Sequence, residues 1–223
     1  MSFLHSIKTQ RVKHTTPFSH WEFSSPLTEK MIDEIYNADI DDPTKSSINY
    51  DGTRAIDGGE GKLRKGIEHG GKAFKFRCFI DEGNYSQFPA LFSLIQELQQ
   101  KETHEYIGKL IGKDLSQSYV RAEIICDRKG FWLKPHCDIA EKLLSCLVFV
   151  NRNGEPESLG TDLYDEDLNK VKTVPYRNNY GYFFTSAKNT WHGLEKKRIA
   201  QERRCLQLNY VTFKKGWPVQ ENV

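Results

Sequence analysis

From Ser118 onward the chain is a succession of short β-rich runs, SYVRAEIICD, KLLSCLVFVN, GTDLYDED, KVKTVPYR, YGYFFTS and RRCLQLNYVTF, separated by Gly, Asn, Asp and Lys clusters. β-Branched and aromatic side chains in short runs favour extended backbone, and the clusters between them carry turn chemistry. Strands this short and this numerous bury their apolar faces only by packing on one another, so the pattern predicts a sandwich or barrel.

The residues ahead of this half read differently. In SSPLTEKMIDEIYNADI, Leu27, Met31, Ile32 and Ile35 recur at helical spacing behind Ser25 and Pro26, which predicts an amphipathic helix capped by Ser25. AFKFRCFI alternates like a half-buried strand, and YSQFPALFSLIQELQQ repeats Leu91, Leu94, Ile95 and Leu98 in helical register. A shorter helix, opened by Thr103, is predicted for THEYIGKLIGKDL. Between residues 40 and 75 the chain is rich in Gly, Asp and Lys and poor in apolar side chains, which predicts a loop. Helices first and strands afterwards make the expected class α+β, mainly β, with the helices outside the strand layer.

At 223 residues the chain is long enough for one well-cored domain, so residues 1–223 are read as a single unit. Lys plus Arg number 32 against 30 for Asp plus Glu, a formal charge of +2 that gives no strong field for nucleic acid or an anionic membrane. A small or mixed-charge partner is expected instead. The five cysteines are an odd set without C-x-x-C spacing, which points to reduced thiols and a cytoplasmic location. No apolar leader region opens the sequence, and no run reaches the roughly 18 apolar residues of a membrane span, so no membrane association is expected.

The chemistry concentrates in KPHCDIAEKLLSCLVFVN. His136 and Asp138 are spaced i, i+2 at a strand margin, where side chains two apart share a face. A third ligand is available in NTWHGLEKK, where His192 stands 54 positions beyond Asp138 with strand-like runs between them. Two imidazoles and one carboxylate make a facial triad that suits Fe(II) and leaves coordination positions open. The competing reading makes His136 a hydrogen-bonded turn residue and Asp138 a cap. His104 and Glu105 do not open a zinc-protease motif, because the second histidine position is Gly108.

An oxoacid bound to such a metal carries a second carboxylate that must be met inside the barrel, and arginine does this through its fork of donors. ERRCLQLNYV offers Arg203 and Arg204, which point to opposite faces of one strand. With Arg203 inward, Cys205, Gln207 and Asn209 share its face, while Leu206, Leu208 and Tyr210 pack outward under the helices. Arg204 inward is the alternative, and two surface charges are the third possibility.

These motifs, in this order over about residues 118 to 213, resemble the Fe(II)- and 2-oxoglutarate-dependent oxygenases, in particular their prolyl-hydroxylase-like branch. The resemblance lies in GFWLKPHCDIAEKLLSCLVFVN with its H-x-D pair, the Gly160-Thr161 turn, YGYFFTSAKNTWHGL with the second histidine, and the Arg-led RRCLQLNYV. It implies a double-stranded β-helix, a jelly-roll of the cupin-like type, with a helical and loop-rich support region over about 1–117. It implies Fe(II) on His136, Asp138 and His192, and 2-oxoglutarate held by Arg203 or Arg204 in a pocket lined by Ser145, Leu147 and Phe149. It also implies consumption of O2, release of succinate and CO2, and hydroxylation of a small-molecule or peptide substrate. Phe149 stands where the family often has tyrosine, and Cys205 where it often has serine. Two alternatives share the architecture: a cupin-like metal protein acting as isomerase or hydrolase, and a non-catalytic binding module. Lys62, Arg64, Lys65, Lys72, Lys75 and Arg77 form a basic stretch that would favour an anionic substrate, or else a solvated loop.

Overall fold

A computed structural model of the chain describes residues 2–40 and 75–213. The predicted loop at 41–74, with most of the basic stretch, lies outside the described residues. Four helices are described: α1 (Phe3–Gln10), α2 (Glu29–Asn37), α3 (Pro89–Leu98) and α4 (Lys101–Ile111). The strands are β1 (Val12–His14), β2 (His20–Ser24), β3 (Lys75–Ile80), β4 (Tyr119–Arg128), β5 (Leu133–His136), β6 (Lys142–Val150), β7 (Thr161–Tyr164), β8 (Lys170–Val174), β9 (Tyr180–Phe184), β10 (His192–Leu194) and β11 (Glu202–Val211). They form two antiparallel sheets, one of seven strands in the order β1-β2-β9-β6-β11-β4-β3 and one of four in the order β5-β10-β7-β8. Among the described residues no helix is long and apolar enough to cross a membrane.

Alternation along β11 explains the layering. Leu206, Leu208 and Tyr210 join Ile124, Cys146 and Val148 in a cluster that also holds Phe3, Ile7, Ile32, Ile35, Leu91, Leu94, Ile95, Leu98 and Ile107 from the helices. Cys205, on the opposite face, joins Phe149, Tyr182 and Phe184 from the large sheet and Leu163, Val174 and Leu194 from the small one. One face of the large sheet is therefore covered by helices and the other by the small sheet, and burying each such Leu, Ile or Phe contributes about 1.5–3 kcal/mol.

Several local expectations change. Ser25 does not cap α2: it sits at φ 55, and Thr28 is the cap, its hydroxyl accepting from the Met31 amide. α4 opens at Lys101 behind Gln100, and Thr103 is buried inside its first turn. The split into helices and then strands fails at one edge of the large sheet, where β1 and β2 add an early hairpin, while the strand expected in AFKFRCFI is β3 at the other edge. The early hairpin was hidden in RVKHTTPFSHWEFS, whose mixture of basic, hydroxyl and aromatic side chains follows neither period cleanly.

Candidate metal centre

β5 and β10 run antiparallel with His136 directly opposite His192. The approach is tight because position 193 is glycine: a Cβ there would stand 2.6 Å from the Leu133 carbonyl oxygen. Close backbones bring the two imidazoles to 4.4 Å between ring centroids. Asp138 does not arrive by strand alternation, since β5 ends at His136. Instead its carboxylate is turned inward by β6, where Lys142 Nζ donates to Oδ1 at 2.7 Å and Ser145 Oγ donates to Oδ2 at 2.5 Å. Asp138 Oδ2 then lies 3.9 Å from His192 Nε2, and ligand atoms of all three residues fall within 4.8 Å of one another.

Both rings are oriented by the backbone. His136 Nδ1 lies 3.0 Å from the Lys134 carbonyl and His192 Nδ1 2.9 Å from that of Thr190. A carbonyl accepts only, so Nδ1 carries the proton in each ring and Nε2 presents a lone pair, the arrangement a metal-binding histidine requires. His136 Nε2 is buried without a hydrogen bond. Burial, reinforced by the neighbouring His192, holds His136 down to about 3, so the ring is neutral at physiological pH. For Asp138 burial pushes upward, but Lys142, His192 and His136 outweigh it and hold the carboxyl well below the usual range. Two imidazoles and one carboxylate, with the His136 Nε2 buried and orphaned, fit a divalent ion of the Fe(II) type with open positions. Cys137, between the ligands in sequence, points away and donates to the Lys188 carbonyl.

The two arginines separate cleanly. Arg203 faces the space between the sheets, buried, with its guanidinium over the rings of Phe149 at 5.2 Å and Tyr176 at 5.7 Å. Arg204 faces the helices, where it donates to the carbonyls of Ile35 and Ala38 at 2.9 Å and to Glu202, so its place as an anion anchor is corrected. Helix α2 ends without a glycine cap, and Arg204 satisfies its last carbonyls.

Arg203 donates from Nε to the Leu159 carbonyl at 2.6 Å, from one terminal nitrogen to Asp127 at 2.5 Å, and from the other to the Gly160 carbonyl at 3.5 Å. A guanidinium has five N–H groups, so these bonds leave one on each terminal nitrogen. Asp127, opposite Arg203 on β4, escaped the sequence reading although it already offsets the arginine's charge. A charged residue at a strand end reads alike whether it faces solvent or the interior.

Leu147 and Phe149 line the same inner face as expected, paired with Gln207 and Cys205 on β11. Ser145 sits one step further along, with its hydroxyl committed to Asp138. Where Phe149 lacks a hydroxyl, Tyr182 supplies one nearby: it lies opposite Leu147 on β9, its ring 6.2 Å from that of Phe149 and its hydroxyl buried beside Thr161.

No family model and no curated protein matches the sequence. Solved structures do. A putative oxygenase from Shewanella oneidensis superposes with a TM-score of 0.53 at 13% identity, over 99% of this chain and 89% of that one. A prolyl hydroxylase from Trichoplax adhaerens, in complex with a hypoxia inducible factor oxygen degradation domain peptide fragment, gives 0.51 at 14% identity over 94% and 87%. The chain has the prolyl-hydroxylase fold. Within that fold, the sheet that carries His136 and His192 packs its apolar face against the Arg203 face of the large sheet.

Proposed function

We propose that the chain is a non-haem Fe(II)- and 2-oxoglutarate-dependent dioxygenase that hydroxylates a small-molecule or peptide substrate. The observation that carries this reading is the convergence of His136, Asp138 and His192 within 4.8 Å, with Arg203 on the inner face of the opposing sheet. On this reading the two sheets are the double-stranded β-helix, with the helices outside it and residues 1–223 one domain. The Trichoplax protein was solved with a peptide, and a peptide substrate is proposed here on that analogy. A cytoplasmic location is proposed on the five free thiols.

His136, Asp138 and His192 would hold the iron, which supplies O2 activation coupled to decarboxylation of 2-oxoglutarate to succinate and CO2. The residues of the chain position and insulate. Thr190 and Lys134 carbonyls keep both Nε2 atoms available, and Lys142 and Ser145 keep the Asp138 carboxylate ionised and aimed. Arg203 would take the far carboxylate of 2-oxoglutarate through its two remaining N–H groups. Phe149, Tyr176 and Tyr182 exclude water around that contact and so strengthen it. The Asp127–Arg203 ion pair favours one second reading, a cupin-like metal protein that needs no oxoacid, because Asp127 already neutralises the anion anchor. Succinate release separates the two: the oxygenase turns over 2-oxoglutarate slowly with Fe(II) and O2 even without substrate, and His136→Ala abolishes it. Metal binding with no succinate would leave the second reading.

A further inference from the structure

We propose that His14, His20 and Glu22 form a second metal site, taking a four-coordinate divalent ion of the zinc type that clamps the β1–β2 hairpin. The cluster is independent of the oxygenase reading and lies on other strands. His14 and His20 are directly opposed across the hairpin, and Glu22 follows His20 by two residues, so all three side chains leave the same face. Ligand atoms of the three fall within 4.8 Å of one another.

The distances match tetrahedral binding. Zinc bonds to imidazole and carboxylate of about 2.0–2.2 Å set ligand atoms about 3.3–3.5 Å apart. Glu22 Oε1 lies 3.5 Å from His14 Nε2 and 3.4 Å from His20 Nε2. The second observation is His20 itself. It is fully buried, its Nδ1 is fixed 2.9 Å from the Phe18 carbonyl, and its Nε2 points into the cluster without a hydrogen bond. That nitrogen is presented as those of His136 and His192 are, by a carbonyl two residues earlier. A metal bond would satisfy that buried nitrogen.

A cation is already attracted there. Lys172 of β8 contacts Glu22 Oε1, with Nζ 3.3 Å from His14 Nδ1, while Tyr180 donates to Glu22 Oε2 at 2.5 Å. The Lys172 side chain is 27% exposed, so it swings into solvent when a divalent ion takes its place. Burial opposes ionisation of Glu22, but His20, Lys172 and Tyr180 draw its carboxyl down to about 2, and burial lowers His14. Both groups are in their metal-binding forms at neutral pH. The site also touches the first centre through two rings: Phe18 packs on His20 at 5.7 Å and on Phe184 at 5.5 Å, and Phe184 on His192 at 4.9 Å.

Equilibrium dialysis of metal-stripped full-length protein against zinc, followed by metal analysis, tests this. Wild type is expected to bind two equivalents, His14→Ala one, His136→Ala one, and the double variant none. His14→Ala binding as much zinc as wild type overturns the proposal, whatever the total. Because His14 is partly exposed the variant keeps its fold, and Lys172→Met gives a second reading. Removing the competing ammonium is expected to tighten zinc binding severalfold, and unchanged or weaker binding overturns the proposal. Cobalt in place of zinc on His136→Ala is expected to show the intense visible absorption of four-coordinate geometry; the weak spectrum of a six-coordinate ion contradicts it.

Discussion

His20, His136 and His192 are held alike, each giving Nδ1 to the carbonyl two residues earlier and presenting Nε2. Such orientation is a property of the apoprotein, and it predicts how the site responds to small changes. Ser145→Ala removes the hydroxyl that aims Asp138 and is expected to weaken Fe(II) binding about 10-fold, by analogy with outer ligand partners elsewhere; a metal titration checks it. Asp127→Asn leaves Arg203 charged and unpaired, so the apoprotein is expected to lose about 3 kcal/mol and to regain it with 2-oxoglutarate. Thermal melts with and without the oxoacid would show a larger ligand-induced shift than in wild type. Protonation acts in one direction. His136 has an ordinary value of 6.5 and a folded value of about 3, so below pH 6.5 the unfolded chain takes up a proton that the native state refuses. Apoprotein stability therefore falls as pH drops from 6.5 towards 3, by up to about 1.4 kcal/mol per pH unit for that proton. Asp138 adds to the loss below its ordinary value of 3.8, and chemical denaturation across this range tests both. The three presumed ligands were legible in the sequence because few residue types bind metal and their spacing restricts the fold. Asp127 and Lys142 were not, because EIICDRK and IAEKLL give no sign of which charges turn inward.

At the scale of elements, the antiparallel pairing of β5 and β10 decides the centre. Gly193→Ala places a Cβ against the Leu133 carbonyl at 2.6 Å and separates the two strands. The expected result is a loss of about 1–3 kcal/mol of stability together with weakened metal binding, since His192 moves with its strand. β11 makes the complementary point. Its two arginines serve opposite layers, so Arg204→Met is expected to cost about 1–3 kcal/mol through the unsatisfied carbonyls of α2, with 2-oxoglutarate affinity unchanged. Arg203→Met is expected to abolish oxoacid binding. Isothermal titration of the two variants tests that division. The strands after residue 118 and the register of Leu91, Leu94, Ile95 and Leu98 could be read from period alone, because burial on one face imposes it. The cap of α2 could not: Ser25 and Thr28 offer the same hydroxyl, and only the backbone turn at Ser25 decides between them.

The whole molecule depends on its first residues more than their helical and loop-like sequence implied. β2 pairs with β9, β3 pairs with β4, and α1 to α4 cover the outward apolar face of the large sheet. A fragment beginning at residue 118 would expose two strand edges and that face, and it is expected to aggregate or to lack a cooperative melt. A soluble, cooperatively folded fragment would refute this dependence. The outline of two sheets with helices outside was visible in the order of β-rich runs, whereas the closing hairpin was not, since β1 is held by pairing and by the His14–Glu22–Lys172 cluster rather than by its own pattern. The account rests on one centre serving both metal and oxoacid. Its most direct test is anaerobic titration of the apoprotein with Fe(II) and 2-oxoglutarate, following the visible charge-transfer absorption that arises only when the oxoacid chelates the iron. The account predicts a saturable band in wild type that is lost in His136→Ala and Arg203→Met and kept in Arg204→Met. Tight Fe(II) binding by wild type with no band would contradict it.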